Sequence, residues 1–301
     1  MGLRKAEQAY RSVIAKYGPL PAACRGLAQI LVRRGRYQQA VGVYRELLRQ
    51  LPGHKAAEQG LREASLLGRV THMANPLLTA AEQVLQVGEL RTPGRQMFAL
   101  VTARLVPGGF YGVSHADIQV RLVRMVGSGL EQVAAYPLAD PRFPDSPEDE
   151  ANLWVAGLTG DGLPEVAVQQ VLIGASWIPS HLTILAWRGE SSLRPILSVS
   201  GSFPQWVEDL EGDGRYEVGN SFEIGDLPHY QQPLWTDIYA YRSGRYVWAD
   251  DCYPREYREW PAQLHAALRQ HPGDVQLLHY LGVTRRILGR LPSTAARQAQ
   301  P

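Results

Sequence analysis

Only two cysteines, Cys24 and Cys252, occur among 301 residues, far apart and in segments of different character. That argues against a disulfide framework. No stretch reaches the roughly 18 uninterrupted apolar residues that a membrane helix needs. The N-terminus, Met1-Gly2-Leu3-Arg4-Lys5-Ala6-Glu7, turns amphipathic at once and lacks the apolar region of a secretory signal. The expectation is a chain with no membrane span, cytoplasmic by default. Catalytic signatures are missing too: there is no nucleophile elbow, no phosphate-binding glycine loop opening a helix and no dinucleotide fingerprint. None of the eight histidines sits in a metal-ligand pair at helical spacing. Ser114, His115 and Asp117 are adjacent in "SHAD", which reads as a turn, because triad members converge from separated segments. The expectation is therefore a protein that is not an enzyme.

What is present is a charge asymmetry hidden under a net charge of +2. Residues 1–70 carry 13 Lys/Arg against 4 Asp/Glu, whereas residues 131–251 carry 6 against 19. Two differently solvated surfaces would explain this. So would parts that attract each other or different partners. The acidic, aromatic-rich middle would repel phosphate, so nucleic acid is not expected as a partner. The stretch Asp140–Glu150, "DPRFPDSPEDE", has acids without apolar shielding and reads as a solvated loop.

From Arg25 the segment "RGLAQILVRRGRYQQAVGVYRELLRQLPG" places Leu27, Ala28 and Leu31 on one helix face and Ala40, Tyr44 and Leu47 on the next. Gly35 separates the helices and Pro52 stops the second. Ala28, Gly35, Tyr37, Ala40, Tyr44 and Pro52 together resemble a tetratricopeptide repeat. One period of 34 earlier, Ala6 and Tyr10 underlie Ala40 and Tyr44, so residues 3–17 read as the second helix of a preceding repeat. Near the other end, "HPGDVQLLHYLGVTRRILGR" resembles the first helix of another. The expectation is that these two half-repeats pack on each other, within one chain or between chains as a homo-oligomer. The resemblance implies a scaffold that holds a peptide in a groove, lined here by Arg25, Gln29, Val32 and Arg33. That lining would suit an acidic protein or peptide.

The middle of the chain alternates instead. "DIQVRLVRMVGSGLEQVAAYPL", "HLTILAWRGESSLRPILSVS" and "TDIYAYRSGRYVWAD" each read as strand, short turn, strand. "LTGDGLPEV" at Leu158–Val166 recurs as "LEGDGRYEV" at Leu210–Val218, 52 residues later. A unit of about 50 residues opening with such a loop resembles the FG-GAP or VCBS repeat, the blade of integrin-like propellers. In the first unit "VPGGFYGVSHAD" stands in place of the Gly-Asp-Gly loop. The fold class is thus α+β and multidomain, with tetratricopeptide-like hairpins and about three blade-like repeats in an incomplete propeller or stacked sheets. The expected domains are a helical domain at 1–69, a helical connector at 70–94 and the β-repeat domain at 95–251. A helical segment at 252–291 and a disordered tail at 292–301 follow.

The blade resemblance implies calcium ligands at alternating loop positions. Carried over, they are Asp209, Glu211, Asp213, the carbonyl of Arg215 and Glu217 in the second loop. In the first they are Thr159, Asp161, the carbonyl of Leu163 and Glu165, with Gly157 where the leading carboxylate would be. The competing reading is a tight turn in which Asp caps backbone amides. Aromatic residues near turns, Trp177 and Trp235 with His229 and Tyr230, are candidates for a ligand surface, while Trp154, Trp187 and Trp248 read as core. The function expected is a non-enzymatic interaction scaffold or adaptor. The alternatives are a small-ligand or carbohydrate-binding module using those tryptophan loops and, more weakly, an uncharacterised hydrolase.

Overall fold

The computed structural model describes residues 3–92, 94–107, 113–138, 150–171, 180–189, 192–226 and 232–289. Among these residues the fold is α+β, with six helices and three four-stranded antiparallel sheets, none closed into a barrel. No helix among the described residues is long and apolar enough to cross a membrane. The chain divides into two compact units. The first holds Met1–Ala156, Leu163–Leu172 and Thr183–Pro195; the second holds Gly157–Gly162, Ile173–Leu182 and Ile196–Pro301.

The first unit opens with four helices, α1 (Leu3–Tyr17), α2 (Pro21–Arg33), α3 (Tyr37–Gln50) and α4 (Lys55–Ala74). Their contacts recur at the period read from the sequence. The ring of Tyr10 fills the space beside Gly26, where an added Cβ would lie 2.5 Å from it, and the ring of Tyr44 does the same at Gly60, 2.3 Å away. Both members of the pair are shifted by one repeat, so α4 answers to α2 as α3 answers to α1. Only a residue without a side chain lets the tyrosine reach the helix backbone there. Gly60→Ala is expected to cost about 1–3 kcal/mol of stability through overpacking, read from urea unfolding. An unchanged midpoint would mean that the ring simply moves aside.

Sheet one is a meander of β1 (Glu82–Thr92), β2 (Arg95–Pro107), β3 (Val113–Val126) and β4 (Gly129–Pro137). Both of its faces are covered, which explains the nearly unbroken apolar run of β2. Phe98 and Leu100 pack with Val123, Tyr37 and the α4 residues Leu67, Val70 and Ala74. Met97, Ala99, Val101 and Ala103 face the other way, onto Val166, Val168 and Leu185 of the next sheet. Tyr37 also bridges the layers by hydrogen bond, its hydroxyl accepting from the Val87 amide at 2.8 Å.

Strand β1 corrects the expected helical connector at 70–94. Its apolar residues Val84, Leu85, Val87 and Leu90 do not alternate, because the register shifts by a bulge between Val84 and Gln86. The bulge gives the segment a helix-like spacing while it pairs along its whole length with β2. The corner between the first two strands of this sheet is therefore Thr92–Arg95, not "VPGGFYGVSHAD", which joins β2 to β3. Within "SHAD", Asp117 has φ 53° and is ion-paired with Arg104 at 2.7 Å.

Sheet two contains β5 (Glu150–Ala156), β6 (Glu165–Val171), β7 (Ser180–Ala186) and β8 (Arg194–Gly201); its residues are shared out between the two units. Sheet three lies in the second unit and contains β9 (Trp206–Glu208), β10 (Glu217–Glu223), β11 (Leu234–Arg242) and β12 (Arg245–Trp248). The hairpins read from the sequence are β3–β4, β7–β8 and β11–β12. After a short turn at Asp250–Cys252 come α5 (Trp260–Gln270) and α6 (Val275–Leu288). The buried face of α6, Leu277, Leu281, Val283 and Ile287, packs with Leu264, Ala267 and Leu268 of α5 and with Trp235 and Ile238 of β11. The C-terminal helix is thus half of a local hairpin whose partner precedes it. Its apolar face is covered inside its own unit, unlike that of a half-repeat awaiting the N-terminal helix. The tail at 292–301 lies outside the described residues.

Candidate functional site

The second Gly-Asp-Gly loop connects β9 to β10. Asp209 turns its carboxylate inward onto the loop backbone, accepting from the amides of Gly212 at 2.7 Å, Asp213 at 3.1 Å and Gly214 at 2.9 Å. Asp213 accepts from the amide of Arg215 at 2.8 Å. Gly212 and Gly214 have φ of 72° and 81°, a conformation that side-chain-bearing residues rarely adopt. Glu217 is buried beneath the loop; one oxygen accepts from the Leu210 amide and the other from the Tyr253 hydroxyl, both at 2.9 Å. Burial raises its pKa, and the nearby charges of Glu211 and Asp213 add to that.

A calcium ion takes 6–8 oxygens at about 2.3–2.6 Å. Here Asp209 and Glu217 direct both oxygens at protein donors, Glu211 and Arg215 are exposed, and no three His, Cys, Asp or Glu side chains among the described residues are grouped to hold a metal. This arrangement does not fit a calcium cage; it fits a hydrogen-bonded corner. Asp209→Ala is expected to cost about 1–2 kcal/mol, as loss of a multiply bonded cap does. The thermal midpoint of the unmodified chain is expected to be equal in calcium and in EDTA. A calcium-dependent rise that vanishes in Asp209→Ala would restore the metal reading.

The first loop uses the same backbone, with φ of 72° at Gly160 and 79° at Gly162. Thr159 is buried, and Asp161 and Leu163 are exposed. Glu165 is fully buried and paired with Arg188 at 3.0 Å. Thr159 and Asp161 belong to the second unit, Leu163 and Glu165 to the first. The two corners lean on each other: the Tyr216 amide donates to the Leu158 carbonyl at 2.9 Å, and a Cβ at Gly160 would lie 2.8 Å from the Arg215 side chain. Arg215 therefore covers its sister loop.

Of the ligand-surface candidates, Trp177, His229 and Tyr230 lie outside the described residues. Trp235 is a correction. It is completely buried, with ring centroids of Tyr280, Trp260 and Tyr257 at 4.6, 5.0 and 5.1 Å. Its indole N–H donates to Asp237 at 2.9 Å. Trp248, read as core, is 55% exposed on the edge strand β12. The strand pattern alone could not reveal that α5 and α6 cover the Trp235 end of the sheet.

Sequence reasoning missed two acids beside this aromatic cluster, Asp250 and the half-buried Asp237. Asp250 is fully buried; one carboxylate oxygen accepts from the Ile238 amide at 2.6 Å, and the other, also buried, has no partner in hydrogen-bond geometry among the described residues. Burial, helped by the nearby charge of Asp237, pushes its pKa up to about 7. Asp237 is raised as well, by burial. The only signal was "WADDC", an acid immediately after an alternating strand.

On the helices, Arg25 and Gln29 are exposed on α2. Val32 is half-buried against both the helical core and the sheet-one core, so it packs inward where a groove residue was expected. Arg33 belongs to α2, and its side chain lies outside the described set. No protein-family model matches this chain, and no curated protein is similar to it. The functional reading therefore rests on residues and their contacts.

Proposed function

We propose that the chain is a non-enzymatic interaction scaffold, in which a tetratricopeptide-like helical stack offers a basic face to an acidic protein or peptide. The β part, built of FG-GAP- or VCBS-like blades in an incomplete propeller or an open stack, is the body that carries it. The observation behind this reading is the recurrence, one repeat apart, of the Tyr10–Gly26 and Tyr44–Gly60 contacts. Such stacking gives each helix pair a defined neighbour and leaves one side of the pair to recognise a partner. Exposed Arg25 and Gln29 provide donors there, in the part of the chain where basic residues outnumber acids 13 to 4.

The full chain should retain acidic peptides from a charge-varied set, with salt weakening capture. Arg25→Glu, a surface change, should abolish retention without lowering the thermal midpoint. Equal retention of acidic and basic peptides, or retention indifferent to Arg25→Glu, would sink the reading. The ligand-module alternative loses its described tryptophan to the core.

A further inference from the structure

Three arginines converge on one carboxylate where α1 meets the turn between α2 and α3. Glu7, buried on α1, accepts from Arg11 Nε at 2.9 Å, from Arg34 Nη1, and from Arg36 Nη1 at 3.3 Å. Arg11 also donates to Gln39 at 3.3 Å. Burial by itself would raise the Glu7 carboxyl, but the three guanidiniums outweigh it and hold it below the usual range. One negative charge thus faces three positive ones, and among the described residues Glu7 is the only carboxylate within ion-pair distance of any of them.

The cluster is also held in place. The turn bearing Arg34 and Arg36 pivots on Gly35, where a Cβ would lie 2.2 Å from the Leu85 carbonyl of β1. The amide of Gly35 donates to Val32 at 3.0 Å and that of Arg36 to Leu31 at 2.8 Å, closing the end of α2. Next along, Tyr37 is bonded to Val87. The guanidiniums of Arg34 and Arg36 therefore stand on a fixed backbone turn. Arg34 keeps 16% of its side-chain surface, Arg36 41% and Arg11 51%. The three guanidiniums carry about fifteen N–H donors between them, more than the roughly six lone-pair sites of Glu7 and Gln39 can accept.

We propose that Arg11, Arg34 and Arg36, ordered by Glu7, form a binding site for a phosphate monoester dianion. The charge decides between anions. The cluster lacks two negative charges, which a monoester carrying about −1.5 to −2 at neutral pH supplies and a single carboxylate does not. Arginine forks also match phosphate oxygens two at a time. A phosphodiester carries one charge per phosphate, and the acidic middle of the chain opposes a long polyanion. The site uses none of the α2 groove residues, so it stands or falls independently of the scaffold reading.

Titration calorimetry on the full chain tests this with four probes: inorganic phosphate, a phosphoserine peptide, the same peptide with glutamate in place of phosphoserine, and a single-stranded oligonucleotide. Phosphate and phosphopeptide should bind one to one, and the glutamate peptide about tenfold more weakly. Affinity for the phosphopeptide should fall below about pH 6, where the monoester loses its second charge. Arg11→Gln and Arg36→Gln alter half-exposed side chains, and each should weaken binding about tenfold at an unchanged thermal midpoint. A phosphopeptide much tighter than phosphate identifies a phosphorylated partner; equal affinities identify a small phosphate compound. Absence of heat with phosphate, binding unaltered in the Arg11/Arg36 double variant, or equal binding of the glutamate peptide or the oligonucleotide would overturn the proposal.

Discussion

Trp235→Ala is expected to destabilise the second unit by about 3–5 kcal/mol, the range for deleting a large buried aromatic. Trp235 has no exposed surface, and three aromatic rings lie within 5.1 Å of it. Its removal opens a cavity in the middle of the core that joins β11 to α5 and α6. Each aromatic pair adds about 0.5–1.5 kcal/mol beyond area burial. The change also takes the indole N–H away from Asp237, leaving a half-buried acid short of a donor. Trp248→Ala is the internal control, since a side chain 55% exposed should cost much less. Urea unfolding followed by tryptophan fluorescence measures both; similar losses would mean that the two residues' roles are misassigned.

Asp250 should make the second unit weaken as pH rises from about 4 to about 7. Its folded pKa of about 7 lies above the unfolded value near 3.9, so the folded state holds this proton more tightly. The stabilisation is complete below about pH 4, declines as pH rises, and is gone once pH has passed about 7. A proton held that much more tightly in the folded chain is worth on the order of 4 kcal/mol. Asp237 and Glu217 are raised too and act in the same direction. Asp250→Asn keeps an oxygen for the Ile238 amide and replaces the orphan oxygen with a neutral group, so the variant should hold its stability across that window. Glu7 and Glu82 of the first unit are lowered, despite burial, by their arginine and backbone partners. Their contribution is present above about pH 4.5 and lost below it, as acid titrates them toward their folded pKa. Chemical denaturation at pH 5, 7 and 9 would decide the matter: parallel profiles for the protein and Asp250→Asn would exclude Asp250 as the titrating group.

Much of the secondary structure was legible because the local code and the tertiary setting agreed. Helices α2 and α3 carry an apolar stripe bounded by Gly35 and Pro52, and three hairpins carry alternation around short Gly/Ser turns. Strand β1 was illegible because its bulge spaces the apolar residues as a helix would. The Gly-Asp-Gly spelling was legible as a repeated corner, whereas its carboxylates named a metal only by resemblance. Their orientation onto amides depends on backbone geometry that spacing does not encode. Trp235 and Trp248 exchanged roles because helices more than twenty residues downstream of Trp235 decide which end of the strand is buried. The arginine cluster was invisible for a similar reason: Glu7 lies 27 and 29 residues from Arg34 and Arg36.

The shared core of α4 and sheet one bears on how the chain is made. Leu67, Val70 and Ala74 leave the ribosome well before Val123 of β3, the most distant of the buried sheet residues in their cluster. Until that strand arrives, α4 presents an apolar strip, and the Tyr37 hydroxyl waits for an amide 50 residues further on. A fragment cut after the last helix would end with this strip open, prone to capture by chaperones or by other copies of itself. A cut beyond β4, after residue 138, would close it. The smallest piece worth expressing runs further still, through Leu185, because the opposite face of the meander packs on Val166, Val168 and Leu185.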